Sequence, residues 1–549
     1  MKFIISTITT EKSGRLLWFM TLVINFLWVL IVFASLDSNQ VWTYFNSDTM
    51  YLPSIYKDIF IDGSGARGWH LNGAPNFFPD MLFFFIFNGI LGDFRLAMLC
   101  YSVCQYMALL LLLNYLMKLV VSGISWYMLS LANILMLTIL FVTVFTGDFV
   151  FTFYILSISY HLGAFIMTLL CMVLTLGYFK GKQRYLYFLM ISVFLATLSN
   201  RLFLVMFVIP SLSVLFFIVL IDHKEKILKF FTAVVFSALT GIIVFALIRS
   251  SGYIYIVGTQ GKIFNFPNMI NSWQVMSGQH FRYLQLMDFR GLTVLLSLVS
   301  FALMCILAWI RTRELLFLGK ETEKWTGVFY LYFYFFFFII VLFMPVLNGS
   351  YVGWALLRYN IYVFYLSLFN YAFIFHFLLS RKKELRKVFN YALISVVLLI
   401  SGFTLKYSTN SGIASGITSL IDYYPDYVEC IDELAKERNV KYGVGGYWHA
   451  KMTTMFSRNN VRVYTVHENM AIWYHVTNRN WYYRQGEGHY GDPEFRFVLA
   501  SSLDSAAIGS SLGVPEWEHS CNDDFRVVGF KEFRFESVTR QPYFPESAD

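Results

Sequence analysis

The chain has 549 residues, of which 57% are hydrophobic and only 14% are charged, and its mean hydropathy is +0.58. A soluble protein needs about a quarter charged residues to cover its surface, so this composition excludes an ordinary soluble protein. The formal net charge of +8 is explained by Lys and Arg in loops that stay in the cytoplasm. No segment combines basic density with stacking aromatic residues, which argues against a nucleic-acid partner.

Residues 1–406 are predicted to form a helical membrane domain. Apolar runs of roughly 18–22 residues recur along them, which is the length that a helix needs to cross the hydrocarbon core of a bilayer. The runs do not alternate between polar and apolar residues as the strands of a membrane β-barrel do. The first run, from about Leu16 to Leu36, is longer than a signal-peptide core and no cleavage site follows it, so we expect a retained helix.

Basic clusters between the apolar runs set the predicted orientation. They lie at Lys118 and within residues 180–184, 222–226, 311–324 and 381–387. Because Lys and Arg are enriched in cytoplasmic loops, placing all of them inside gives about eleven spans, with the N-terminus inside and the C-terminus outside. The segment from Pro79 to Phe94 is too short and too interrupted to span, and we expect it to lie on the outer surface.

Four substantial segments then lie on the outer side, namely 37–95, 249–290, 345–358 and 407–549. Residues 407–549 mix short β-like runs with a helical stretch, which predicts a small α/β or α+β domain. Its cysteines, Cys430 and Cys521, can pair in an oxidising compartment, but the sequence leaves open whether they lie within bridging distance. The remaining cysteines fall in or near apolar runs and are expected to be packing residues: Cys100, Cys104, Cys171 and Cys305.

The first outer loop contains the pattern that suggests a function. Asp48 comes shortly after the first span, and it is followed by the amphipathic stretch Tyr51–Phe60 and by the segment "APNFFPDMLFFFIF". Together with the "RY" of Arg358 and Tyr359, this order resembles the GT-C superfamily of membrane glycosyltransferases. Those enzymes transfer a sugar from a polyprenyl-phosphate carrier on the extracytoplasmic side, and they often have a C-terminal soluble domain.

The resemblance implies that Asp48 is the catalytic base, since attack at an anomeric carbon requires a group that accepts the proton of the acceptor hydroxyl. The alternative is that Asp48 only caps the helix that follows, for which the run from Asn46 to Thr49 is well suited. Weaker candidates for the base are Asp58, Asp62 and Asp80. Asp58 and Asp62 are one helical turn apart, so a solvated helix face also explains them.

A polyprenyl-phosphate donor also requires cations on the outer side. Arg201 and Arg358 lie at predicted outer boundaries of spans, and a guanidinium group matches phosphate oxygens in geometry. We therefore expect these two arginines, with Tyr359 beside the second, to bind the donor phosphate. Snorkelling of the arginines to lipid headgroups is the alternative.

Further residues on the outer side are candidates for contacts with the substrate. They are His70, His161 and Asp80, with His280 and Arg282 as weaker candidates. A hydrogen-bonded packing role explains a lone histidine equally well. In the tail, one set of aromatic residues either stacks on sugar rings or forms the core of the domain: Tyr447, Trp448, Trp473, Trp481, Tyr482 and Tyr483.

With the resemblance, the sequence predicts a GT-C-like enzyme in a bacterial inner membrane that moves a sugar from a polyprenyl-phosphate donor to a surface glycan or glycolipid. Membrane lipid is its other partner. No Asp-x-Asp or Asp-Glu pair opens the first loop, so we expect neither a metal nor a cofactor. Two other functions stay open: a Wzy-type O-antigen polymerase, although such enzymes usually lack a soluble tail, and a lipid-linked glycan transporter or flippase, although that predicts charges in mid-span.

Overall fold

The structure is a computed structural model that describes residues 11–121, 123–218, 224–258, 264–286, 288–318, 322–380, 382–410, 412–483, 493–522 and 524–535. Its helices, in chain order, are α1 (Glu11–Ala34), α2 (Ser38–Tyr44), α3 (Tyr51–Tyr56), α4 (Leu82–Leu91), α5 (Phe94–Val120), α6 (Trp126–Thr146), α7 (Val150–Leu156), α8 (Leu162–Phe179), α9 (Arg184–Ser199), α10 (Ile209–Ile218), α11 (Lys224–Ser250), α12 (Phe266–Leu286), α13 (Phe289–Leu318), α14 (Thr322–Leu347), α15 (Ile361–Ser380), α16 (Lys383–Asn410), α17 (Ile413–Ile421), α18 (Asp426–Arg438), α19 (Tyr447–Phe456) and α20 (Ser505–Leu512). Its strands are β1 (Trp69–Leu71), β2 (Tyr255–Ile256), β3 (Tyr442–Gly445), β4 (Arg462–Thr465), β5 (Thr477–Asn478), β6 (Phe495–Leu499), β7 (Trp517–Asn522) and β8 (Phe525–Phe533). Short π-helical turns lie at Lys57–Ile61, Phe77–Met81 and Leu204–Val208, and 3₁₀ turns at Trp354–Tyr359, Arg479–Tyr482 and Ala500–Ser502.

Nine helices within the described residues are long and apolar enough to cross a membrane: α1, α5, α6, α8, α11, α13, α14, α15 and α16. The chain is therefore a multi-pass helical membrane protein, as predicted, but the expected count of eleven spans is wrong. The difference corresponds to α9 and residues 204–216, which are shorter apolar helices on either side of Arg201. The 16 residues of α9 extend about 24 Å, less than the ~30 Å of a hydrocarbon core.

The segment expected to lie on the outer surface, residues 79–94, forms α4 and the π-helical turn before it, and both together are shorter than a full span. Parts of three basic clusters that set the predicted orientation, at residues 222–223, 320 and 381, lie outside the described residues.

Buried amide side chains join the first helices of the membrane domain. Asn25 of α1 donates to the backbone oxygen of Asn133 on α6 at 3.2 Å, and it accepts from the Tyr106 hydroxyl of α5 at 2.6 Å. The side chain of Asn133 accepts from Asn114 at 2.6 Å and donates to Thr21 at 3.0 Å. Hydrogen bonds between membrane helices contribute about 0.6–2 kcal/mol each, so this network fixes how α1, α5 and α6 pack.

The C-terminal residues form a mixed five-stranded sheet in the order β4-β3-β6-β8-β7. Strands β4, β3 and β6 are parallel, and β8 and β7 continue the sheet in antiparallel pairing. The parallel pair β3 and β4 requires a crossover, which α19 provides. The tail thus combines helices with a sheet, as predicted.

The cysteine pairing that the sequence left open is present. Cys430 of α18 and Cys521 of β7 form a disulfide with a Cα–Cα distance of 5.8 Å, and this crosslink ties the helix to the edge strand of the sheet. The other four cysteines are free; Cys171 is buried as expected for a packing residue, whereas Cys104 is exposed.

A second sheet and a buried carboxylate join the tail to the membrane domain. The sheet has the order β2-β1-β5, so it pairs strands from the first loop, from the loop after α11 and from the tail. Beneath it, Asp58 accepts from the indole nitrogens of Trp69 at 2.7 Å and Trp481 at 2.8 Å, and from the amide of Asn478 at 2.8 Å. Asp58 is buried, so the expectation of a solvated face is wrong for it.

An ion pair strengthens the same junction one turn further on. The guanidinium of Arg462, on β4, donates to both carboxylate oxygens of Asp62, at 2.9 Å and 2.8 Å. Such bidentate pairing between Arg and a carboxylate is geometrically specific. Asp58 and Asp62 of the first loop therefore anchor the tail.

We predict that Asp58→Ala destabilises the protein by about 3–5 kcal/mol, because it leaves the donors of Trp69, Trp481 and Asn478 buried without an acceptor. Thermal unfolding of the purified protein in detergent, together with limited proteolysis between the membrane domain and the tail, measures this. Asp426→Ala removes an exposed aspartate of the same tail and serves as the control. Equal unfolding temperatures for the two variants would contradict the assignment of Asp58 as an anchor.

Candidate functional site

Asp48 lies in a tight turn between α2 and α3. The side-chain oxygen of Asn46 accepts from the backbone N–H groups of Asp48 at 2.9 Å and Thr49 at 3.0 Å. Met50, not Asp48, occupies the N-cap position of α3. Asn46 therefore stabilises the turn, and the carboxylate of Asp48 points to other partners, which argues against the capping alternative.

The Asp48 carboxylate is held by hydroxyl groups from two distant parts of the chain. Tyr447, at the start of α19, donates to Oδ1 at 2.5 Å, and Tyr160, before α8, donates to Oδ2 at 3.0 Å. The Nη1 atom of Arg358 lies 3.7 Å from Oδ2, and the Asp48 side chain is 25% exposed. The carboxylate is thus fixed in orientation but still open to a ligand.

The loop that carries Tyr160 has an unusual backbone. Ser159 and His161 have φ angles of +67° and +70°, in the left-handed region that costs non-glycine residues about 1–3 kcal/mol each. Hydrogen bonds from surrounding helices hold the loop there: the Tyr362 hydroxyl donates to the Tyr160 carbonyl at 2.5 Å, and the Asn76 amide donates to the Ser159 carbonyl at 3.2 Å. Backbone strain of this kind is typical of functional sites.

Arg358 lies on the 3₁₀ turn before α15, with its Cζ atom 5.3 Å from the centre of the Tyr359 ring. Burial works to lower the pKa of Arg358, but Tyr359, Asp48 and Tyr160 outweigh it and raise the pKa above its ordinary value. Its Nε atom is buried and makes no hydrogen bond to any described residue. The guanidinium is therefore charged, and it has donor capacity left for an anion.

His161 lies next to this pair of residues, with its ring 5.5 Å from that of Tyr359. The side-chain amide of Asn200 donates to Nδ1 of His161 at 2.9 Å, which assigns the imidazole proton to Nε2. Burial, with the nearby Arg358, lowers the pKa of His161 to about 3, so the ring is neutral. The structure thus brings His161 into the site as a neutral hydrogen-bond donor.

Arg201 is near this group of residues but makes other contacts. The Cζ atom of Arg201 lies 4.2 Å from the centre of the Phe245 ring, and burial with the charge of Arg249 lowers its pKa. In the described part of the chain, no hydrogen bond or ion pair joins Arg201 to the Asp48 carboxylate or to Arg358. Its link to the site is its neighbour Asn200, which contacts His161.

Asp80 is buried and accepts from the Tyr101 hydroxyl at 3.0 Å. A Cβ atom at Gly163, in the first turn of α8, would lie 2.2 Å from its Oδ2 atom. The glycine thus allows the carboxylate to press against α8 two residues after His161. This contact gives Asp80 a packing role, and its expected contact with substrate stays a prediction.

His70 and His280 are held by contacts with neighbouring residues of the protein. His70 is stacked between Tyr255 and Tyr474, with ring centres 4.6 Å and 4.8 Å away, and burial with the charge of Arg479 lowers its pKa to about 4. The ring of His280 bonds the carbonyl of Met276 on its own helix at 2.8 Å. These contacts explain both histidines as packing residues; the role of His70 in substrate binding stays a prediction.

The sequence did not reveal Tyr160 or Lys451 as parts of the site, and it named Tyr447 only as a tail aromatic that either stacks on sugar rings or belongs to the domain core. The Nζ atom of Lys451 donates to the carbonyl of Ser47 at 3.3 Å, and the Ser47 hydroxyl donates to the carbonyl of Tyr447 at 2.6 Å. Burial lowers the pKa of Lys451 to about 7, against the attraction of Asp48. The one lysine in α19 was a possible signal, but nothing in the sequence links it to residue 47.

The arrangement combines a partly exposed carboxylate, a charged guanidinium and a neutral imidazole at one end of the membrane helices. This set can accept a proton and hold an anion side by side. Among the described residues, one group has the spacing of metal ligands, Cys430, His519 and Cys521, and the disulfide occupies both of its sulfur atoms. No known family profile and no curated protein matches the chain, so the geometry is the basis for assigning a function.

We predict that the stability of the native protein rises relative to that of Lys451→Met between about pH 6 and pH 9, by up to about 1.4 kcal/mol per pH unit. The folded state releases the Lys451 proton near pH 7, whereas the unfolded chain keeps it up to about pH 10. The unfolded state therefore binds more protons in this range, and raising the pH favours the folded state.

Unfolding temperatures in detergent across this pH range, for the native protein and the variant, measure the difference. Lys436→Met removes an exposed lysine of the tail and is expected to follow the native protein at every pH. Parallel curves for the native protein and Lys451→Met would show that the Lys451 pKa is not lowered.

Proposed function

We propose that this protein is a membrane glycosyltransferase of the GT-C type that uses a polyprenyl-phosphate sugar as donor. The observation that carries the proposal is the Asp48 carboxylate, held by the hydroxyls of Tyr160 and Tyr447, with Arg358 at 3.7 Å. A proton acceptor directly beside a phosphate-binding cation is what the transfer of a sugar from phosphate to a hydroxyl requires.

In the proposed reaction, the acceptor hydroxyl attacks the anomeric carbon of the donor sugar, and a new glycosidic bond forms. The bond between that carbon and the phosphate oxygen breaks, and its electron pair leaves on the polyprenyl phosphate. As the new bond forms, the attacking oxygen becomes acidic, and its proton passes to the Asp48 carboxylate. No metal is required, because Arg358 offsets the charge that develops on the departing phosphate.

The membrane half of the site suits the donor. Arg358 and Tyr359 precede α15, and His161 precedes α8, so these residues lie at the ends of membrane helices. In the proposed complex, the phosphate of the lipid donor binds at this level. The guanidinium of Arg358, whose side chain is 28% exposed, can donate to a phosphate oxygen, and the neutral ring of His161 carries its proton on Nε2 as a further donor. Arg201 contributes from the edge of the site through its charge rather than by contact with Asp48.

We further propose that the site and the tail face the outside of a bacterial inner membrane, where a surface glycan or glycolipid is the acceptor. The first loop, the loop before α8, the turn before α15 and the tail contact one another, so they share one side of the membrane. The basic clusters of the chain then lie on the opposite side, as the positive-inside rule requires.

We predict that Asp48→Asn reduces sugar transfer at least about a hundredfold, because an amide cannot accept the proton of the acceptor. Mass spectrometry of the surface glycans of cells that make the native protein, the variant or neither measures transfer as an added sugar mass. Blotting for equal amounts in the membrane is the control, since Asn keeps the size of Asp and the acceptor positions for at least one tyrosine.

If Asp48→Asn adds the sugar as efficiently as the native protein, another base carries the reaction and the proposal fails at Asp48. If the native protein changes only the length of a glycan chain and adds no new mass, the polymerase function replaces the transferase. A flippase would leave the composition of the glycan unchanged when the purified protein is given donor and acceptor in detergent.

We predict that Arg358→Lys weakens the use of the donor about ten- to a hundredfold, because the ammonium group lacks the planar fork of the guanidinium. Kinetics with the purified protein and varied donor concentration measure this as a lower kcat/KM. Arg201→Lys is expected to have a smaller effect, since no contact joins Arg201 to Asp48 among the described residues. Arg313→Lys, at an exposed position of α13, is the control, and equal kinetics for Arg358→Lys and this control would contradict the assignment.

A further inference from the structure

A cavity of about 710 Å³ opens in the C-terminal domain directly beside the Asp48 site. Its lining includes Gly446, Tyr447, Trp448, Glu468, Asn469 and Trp473. Tyr447 belongs to both places, since its ring lines the cavity and its hydroxyl donates to Asp48. The volume lies within the range of about 300–1,000 Å³ that is typical of small-ligand sites.

The topology of the sheet explains why the cavity lies here. The chain runs from β3 to β4 on one side of it, and the next strand of the sheet, β6, pairs on the other side of β3. The carboxyl ends of β3, β4 and β6 therefore meet at one edge, and the connections from this edge diverge. Open α/β sheets bind ligands in the crevice that forms at such a point.

Gly446, at the end of β3, allows the connection after β3 to lie close to the one after β6. A Cβ atom there would lie 2.2 Å from the Oγ atom of Ser502, which follows β6. The two connections thus approach more closely than a side chain at position 446 allows.

The loop after β4 forms a rigid wall of the cavity. The backbone N–H of His467 donates to the carbonyl of Ala471 at 2.8 Å, and that of Met470 donates to the carbonyl of His467 at 2.9 Å. The backbone N–H of Trp473 donates to the carbonyl of Thr465 at 3.1 Å. A wall that is closed by its own backbone hydrogen bonds is preformed, so a ligand does not have to order it.

The wall offers flat apolar rings next to polar groups. Trp448 is 52% exposed, and the Trp473 ring stacks on that of His467 at 4.7 Å, which holds the indole in place. Glu468 and Asn469 are exposed beside them. A sugar ring has an apolar C–H face that matches an indole and a rim of hydroxyl groups that matches carboxylate and amide oxygens.

The charge of the wall selects among saccharides. Among the described residues that line the cavity, Glu468 is the one acidic residue and none is lysine or arginine. Phosphate or carboxylate groups on a ligand would lose their hydration and meet the Glu468 carboxylate without a compensating cation. The cavity therefore disfavours polyanionic chains.

We propose that this cavity binds a neutral saccharide segment of the acceptor and presents the next hydroxyl, past Tyr447, to Asp48. The inference rests on the proposed transferase function and adds to it the class of acceptor: a neutral glycan, not a phosphodiester- or uronate-rich polymer. Trp448 and Trp473 hold the sugar faces, and Glu468 and Asn469 bond the hydroxyl rim.

The test is direct binding, which does not depend on turnover. The full-length protein in detergent is applied to a glycan array that carries neutral, uronate-bearing and phosphate-bearing oligosaccharides, and the affinity for the strongest ligand is measured by calorimetry. We expect a neutral oligosaccharide to bind, and Trp448→Ala to weaken its binding about tenfold or more while Trp448→Phe largely restores it. Trp273→Ala removes a comparably exposed indole on α12, outside the cavity, and is expected to bind as the native protein does.

Asp48→Asn separates the two proposals. It is expected to keep the binding of the saccharide and to lose transfer, so normal transfer by this variant overturns the assignment of Asp48 as the base and not the cavity. Preferential binding of anionic glycans, no binding above background, or equal binding by Trp448→Ala and the native protein overturns the cavity proposal and leaves the assignment of Asp48 intact.

Discussion

The hydrogen bonds from Tyr160 and Tyr447 to the two oxygens of Asp48 are the contact on which the site depends. Tyr160 comes from a loop between membrane helices and Tyr447 from the C-terminal domain, so the orientation of one carboxylate depends on the position of both. The bond from the Ser47 hydroxyl to the Tyr447 carbonyl joins the loop that carries Asp48 to the C-terminal domain a second time. Orientation of the carboxylate and docking of the tail are therefore one property: a change that moves the tail also releases Asp48.

The membrane helices support this contact by holding a strained loop. The left-handed conformations of Ser159 and His161 are unfavourable by themselves, and they persist because Tyr362 and Asn76 bond the carbonyls of the loop. Tyr362 lies on α15, just after the turn that carries Arg358. One helix start therefore fixes both the loop that orients the carboxylate and the cation beside it. The anchors at Asp58 and Asp62 act at a second point of the junction and prevent the tail from rotating about the first.

The sequence predicted the helices well, because a run of apolar residues is a local property, and it predicted Asp48 and Arg358 as residues of one site. It overestimated the number of spans by two because the two apolar helices beside Arg201 are too short to cross a membrane. The nine spans of the described residues, like eleven, are an odd number, so the prediction that the two ends of the chain lie on opposite sides of the membrane is unchanged. It did not predict that Tyr160 and Tyr447 bond Asp48, since tyrosine occurs 36 times and tertiary structure alone decides which hydroxyl meets a carboxylate. A solvated face remained an alternative for Asp58 for the same reason, because two of its three donors, Asn478 and Trp481, come from the distant tail.

The proposed reaction joins a donor dissolved in lipid to an acceptor dissolved in water, and the distribution of residues around Asp48 suits that problem. Arg358, Tyr359 and His161 come from the ends of membrane helices, whereas Tyr447 and the cavity beside it come from the C-terminal domain. The guanidinium of Arg358 is on the first side, where a phosphate must be held, and Glu468 with the indoles of Trp448 and Trp473 is on the second, where a neutral sugar is proposed to lie. A carboxylate at the boundary can meet both substrates without either leaving its own solvent. The docking of the tail onto the membrane domain is then a requirement of the chemistry as well as of stability.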